Sequence, residues 1–84
     1  MNVKENVAQM IHVRNEEIKW NDKKKAQYKD EIVELCIKVA ETPADLEPHI
    51  LVREISKLEQ KMNRKDEENK ILKAEIRTLQ ELNE

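Results

Sequence analysis

The sequence predicts an all-α chain of two long helices, joined by a short proline-containing break and associating as a coiled coil. Three observations carry that prediction. Glycine is absent and proline occurs twice in 84 residues, whereas strand-rich folds need turns and turns need glycine. Charged residues make up 40% of the chain and hydrophobic ones 38%, the balance of solvated helices that each present a narrow apolar stripe. From Leu51 to Leu79 the apolar residues recur at the alternating three-and-four spacing of a heptad.

The first helix is placed at residues 3–41. Neither Gly nor Pro interrupts this span, and Val7, Ile11, Ile18, Tyr28, Ile32, Leu35 and Val39 recur at helical intervals among Lys, Glu, Asp and Asn. Such a helix reaches about 58 Å, too long for its own contacts to hold it, so another helix must cover its stripe. Extrapolating the repeat brings Arg14, Asn21 and Lys25 into the same stripe. These polar residues make the middle of the helix a poor seam by itself.

The break is placed at residues 42–47. Pro43 removes a backbone donor, and Pro48 would clash with the carbonyl of Ala44 if the helix continued. Thr42 or Asp45 is the expected cap of the next helix, with Pro48 tolerated inside its first turn, where its missing N–H costs no intrahelical bond.

The second helix is placed at residues 48–84. Ile55, Met62, Asn69 and Ile76 occupy heptad position a, and Leu51, Leu58, Lys65, Leu72 and Leu79 occupy position d. Branched residues at a with Leu at d favour two parallel strands, and an Asn at a can bond its symmetry mate across such a seam, which fixes register. In that register Lys61 would face Asp66 and Glu68 would face Lys73, both attractive, whereas Glu54 would face Glu59. The segment from Leu51 to Leu79 resembles leucine-zipper dimerisation segments in a generic way. The expected homodimer interface is therefore Leu51, Ile55, Leu58, Met62, Asn69, Leu72, Ile76 and Leu79. Because the repeat is still running at Glu84, a fragment of a longer coiled-coil protein is expected.

Folding the first helix back on the second aligns residues whose numbers sum to about 89 or 90. Ile32 then meets Leu58, Tyr28 meets Met62, Ile18 meets Leu72 and Ile11 meets Leu79. Asn21 falls near Asn69 and Arg14 near Glu75, while Lys25 near Lys65 is a blemish. Around the break the stripe widens, taking in Val33, Cys36, Ile37 and Ala40 before it and Leu46, Ile50 and Val52 after it. Width of that kind implies that more than two helices meet there. The favoured architecture is a pair of helical hairpins dimerising through helix two, with four helices near the break. The alternative is an extended parallel two-stranded coiled coil bent at the prolines.

The residues offer little to catalysis. His12 and His49 lack further ligands at metal-binding spacing, so no metal and no cofactor is expected. Cys36 is the only cysteine and lies in an apolar run, which predicts a buried thiol in a reducing compartment. No nucleophile has a base beside it, and two thin helices supply no enclosed pocket for a small-molecule substrate. The 16 basic and 18 acidic residues are interspersed, for a net charge of -2, so neither nucleic acid nor an anionic membrane is an expected partner. No apolar stretch approaches a membrane span, and Met1 to Lys4 lacks the start of a signal peptide.

The expected function is a non-enzymatic scaffold: a homodimerising coiled-coil segment mediating protein–protein assembly in the cytoplasm, with the nucleus or cytoskeleton as the other settings. A second reading is an adaptor that binds a partner peptide or small GTPase through Trp20, an aromatic ring set among Lys19, Asn21 and Asp22, or through the wide apolar region from Ile32 to Leu58. A third is a nucleic-acid-associated dimer using Lys23, Lys24 and Lys25.

Overall fold

The computed structural model describes residues 3–83. Helix α1 runs over Val3–Glu41 and helix α2 over His49–Leu82, with a 3-10 turn at Ala44–Leu46 between them. The two helices fold into an antiparallel hairpin measuring 66 × 15 × 14 Å. Cross-helix pairs confirm the register: Arg14 meets Glu75, Asn21 meets Asn69, Lys25 meets Asp66 and Tyr28 meets Lys61. Each pair sums to between 89 and 91. The chain is thus folded back on itself and is not the extended rod that the sequence left as the alternative.

Both helices use a strict heptad. On α1 the buried or half-buried positions are Val7, Ile11, Arg14, Ile18, Asn21, Lys25, Tyr28, Ile32, Leu35 and Val39, each three or four residues from the last. On α2 they are Leu51, Ile55, Leu58, Met62, Lys65, Asn69, Leu72, Ile76 and Leu79. Lys24, Asp66 and Glu75 flank this seam and are also half-buried. The repeat closes a two-stranded seam because a period of 3.5 residues keeps one narrow stripe facing a single partner helix.

Burial along the seam is uneven. Val7, Asn21, Asn69, Leu72, Ile76 and Leu79 are buried, and all lie between the open end and the middle of the hairpin. Toward the tip, Ile32, Leu35, Val39, Leu51, Ile55 and Leu58 are half-buried.

At the tip, Pro43 takes an extended conformation (φ -60°, ψ 147°) that carries the backbone out of α1. The last turn of α1 is closed by the Thr42 amide on the Val39 carbonyl at 3.3 Å and by the Thr42 hydroxyl on the Lys38 carbonyl at 2.5 Å. Thr42 therefore finishes the first helix and does not cap the second. Asp45 does not cap it either: Pro48 holds the N-cap position of α2 with no side-chain cap hydrogen bond. Its ring presets φ at -68° for entry into the helix, and its carbonyl accepts the Val52 amide. Glu47 absorbs the reversal with a φ of 54°, in the left-handed region that a Cβ disfavours. The expected start of α2 at residue 48 shifts by one, and its expected end at Glu84 lies outside the described residues.

Candidate functional site

The predicted zipper residues are brought together, but against α1. Leu51, Ile55, Leu58, Met62, Asn69, Leu72, Ile76 and Leu79 face the α1 residues Ile11, Ile18, Tyr28, Ile32, Leu35 and Val39 inside the same chain. Charges expected to pair across a parallel dimer are likewise engaged internally. Asp66 takes Lys25, Glu75 accepts the Arg14 guanidinium Nε at 2.6 Å, Glu68 pairs with Lys65 at 3.3 Å, and Lys61 sits 5.7 Å from the Tyr28 ring centroid.

The polar middle of the seam is satisfied. Asn21 Nδ2 donates to Asn69 Oδ1 at 2.9 Å, and Asn69 Nδ2 donates to Asp22 Oδ1 at 3.0 Å. Asn21 and Asn69 are 4% and 5% exposed, so this relay spares two amides the cost of burial without a partner. The bond the sequence assigned to a symmetry mate of Asn69 is made here by Asn21. Lys25 also escapes the expected clash with Lys65: Asp66 is one residue further along, and its carboxylate holds the ammonium. That hydrogen bond raises the Lys25 pKa above 10.5 against a smaller opposing effect of burial, with the charges of Asp66 and Asp22 adding to the rise. Every buried side-chain polar atom among the described residues has a partner.

Among the described residues outside the seam, Val3, Met10, Val13 and Leu82 are exposed toward the open end, and two further groups of apolar side chains stand open. The first lies beside Trp20, which is 53% exposed and carries the Lys24 ammonium 4.7 Å from its ring centroid. Trp20 and Ile71, from opposite helices, border a shallow cleft floored by Asn21 and Leu72 and edged by Glu17, Lys65 and Glu68. Trp20 neither packs fully along α2 nor stands free. It rests on the rim of this cleft with one face under a cation.

The second region is at the tip. Val33, Cys36, Ile37 and Ala40 follow one another at intervals of three, one and three residues on the outside of α1, and all four are exposed. Ile50 and Val52 of α2 and Leu46 of the turn are exposed as well. Cys36 was expected to be buried. It is exposed because the seam of a two-helix hairpin reaches only the a and d positions, and Cys36 follows Leu35 onto the neighbouring e position.

The basic run is divided in space. Lys25 is bound to Asp66, Lys24 covers Trp20, and Lys23 is solvated on the outer face. His12 and His49 are exposed, and among the described residues no three His, Cys, Asp or Glu side chains are grouped to hold a metal ion. No helix of the described residues is long and apolar enough to cross a membrane. Comparison with protein-family models, with curated proteins and with solved structures finds no match to the chain.

Proposed function

We propose that the chain is a non-enzymatic assembly module: a helical hairpin that associates with a second copy of itself and serves as a scaffold in protein–protein assemblies. The observation that carries this reading is the burial gradient. On α2, Leu72, Ile76 and Leu79 are buried toward the open end, whereas the seam residues near the tip are only half-buried, and Val33 and Ile37 stand 51% and 53% exposed outside it. Contiguous exposed apolar side chains mark association surfaces, and a two-helix rod has little core with which to stabilise itself alone. Analytical ultracentrifugation across a concentration series tests the reading. A mass of two chains that dissociates on dilution supports it, and a monomer at every concentration would contradict it.

A second reading is favoured by the cleft beside Trp20. An exposed aromatic opposite an exposed Ile is the composition of a hot spot for a partner peptide. Trp20→Ala should then abolish capture of that peptide while leaving the mass of the assembly unchanged.

A further inference from the structure

We infer that two copies of the chain exchange helices: the hairpin opens at its turn, and α1 of each copy closes the seam on α2 of the other. This inference rests on the self-association reading and names how the copies join. The dilute chain keeps the closed form, and the exchanged dimer takes over as concentration rises.

The turn supplies the drive. To reverse the chain between Glu41 and His49, Glu47 takes φ 54° and ψ 68°, the one positive φ among the described residues, and the chain has no glycine to place there. Two separate steric rules oppose this geometry. A Cβ disfavours the left-handed region, and the ring of Pro48 pushes the residue before it toward extended backbone. In an open turn Glu47 adopts the extended conformation that both rules favour, and Pro43 already holds that conformation in the closed hairpin, at φ -60° and ψ 147°. Short hinges under strain are the setting in which whole elements exchange between copies, and each exchanged dimer relieves two such residues.

The polar middle of the seam supplies the specificity. Asn21 bonds Asn69, Asn69 bonds Asp22, Arg14 bonds Glu75 and Lys25 bonds Asp66. Every one of these joins α1 to α2 in antiparallel register, and none requires the two helices to belong to one chain. Exchange therefore keeps the whole set, once in each lobe of the dimer. Parallel pairing of α2 with α2 would instead set Lys65 on Lys65 and leave Arg14, Asn21 and Lys25 without these partners.

Exchange also fixes the shape. The two lobes lie end to end about a two-fold axis at the turns, so helices of 39 and 34 residues succeed one another along the particle. Its length is about 125 Å. One closed hairpin measures 66 Å, and two lying side by side would be no longer.

Sedimentation and small-angle scattering of the full chain across a concentration series test the inference, together with variants of the hinge and a cross-link in the seam. The expected particle is a dimer near the longer dimension. Glu47→Gly should weaken it about tenfold, because the closed hairpin is then relieved of its strain, and Glu47→Val should tighten it, because a branched Cβ fits the left-handed region worse. Helicity of both variants at low concentration is the control for folding. For the topology, an Asn21→Cys chain and an Asn69→Cys chain, both carrying Cys36→Ser, are refolded together from denaturant, and the dimer is isolated before oxidation. Exchange predicts a disulfide between the chains, since one lobe holds both introduced thiols across its seam while the other keeps Asn21 on Asn69. A dimer near the shorter dimension, one whose chains stay unlinked, or one indifferent to both Glu47 variants overturns exchange and leaves self-association standing. A monomer at every concentration overturns both.

Discussion

Asn21 and Asn69 show how two polar residues can sit in a seam without weakening it. Each is buried, and each amide group finds its partner across the helices or in Asp22. Replacing Asn69 alone by Ile strands the amide of Asn21, so the substitution should cost about 1–3 kcal/mol in chemical denaturation. Had Asn69 bonded a symmetry mate, the same change would leave no unlike partner behind and would raise stability. Replacing Asn21 and Asn69 together by Leu should be neutral or stabilising, because both polar groups then leave the seam. Lys25 supplies a pH dependence of defined sign. Its folded pKa is raised by the bond to Asp66, so its contribution is fully present below the ordinary lysine value of 10.5 and is lost as pH rises through the higher folded value. Alkaline titration of thermal stability should show Lys25→Met losing less than the parent chain above that pH. Sequence reasoning found Asn21 opposite Asn69 and Arg14 opposite Glu75 from register alone. It missed Asp22 and Asp66, because a shift of one residue decides which acid a long side chain meets, and heptad position does not resolve that.

At the scale of the helices, the seam should be strong at the open end and weak at the tip. Leu72 is 9% exposed, and Leu72→Ala should cost about 2–5 kcal/mol as a buried truncation. Leu58 is half-buried in the hairpin, so Leu58→Ala should cost less than Leu72→Ala. Equal costs for the two would contradict the gradient. The turn carries its own strain at Glu47, whose φ of 54° penalises a side chain with a Cβ. Glu47→Gly should therefore raise the free energy of unfolding measured by chemical denaturation, by about 1 kcal/mol or less once the added flexibility of Gly in the unfolded chain is counted. Helix boundaries and both heptads were legible in the sequence, since the absence of Gly, the two prolines and the apolar spacing all point the same way. The identity of the partner across α2 was not. The Ile and Leu pattern of a and d positions describes what a helix wants opposite it, and a second helix of the same chain satisfies that want as well as a second copy does. The caps were misjudged for a local reason: Thr42 bonds backward into α1, a choice open to any Thr beside a carbonyl one turn earlier.

As a whole molecule the chain is a thin rod that closes one apolar seam and leaves apolar side chains exposed at its tip, beside Trp20 and toward its open end. The widening of apolar residues around Pro43 and Pro48 was visible in the sequence, and in the hairpin those residues form the uncovered surface. That Cys36 lies on this surface was not visible, because exposure at an e position depends on how many helices surround it. Closure of the seam within one chain is the central structural feature, since it engages the a and d side chains of both helices with each other. The most direct test is the intrachain distance between spin labels at Ala8→Cys and Gln80→Cys, both exposed sites near the open end, in a Cys36→Ser background diluted with unlabelled chain. The hairpin predicts a separation within about 20 Å, set by helix spacing and the label arms. Loss of any short distance, as in a rod that holds the two sites about 110 Å apart, would contradict it.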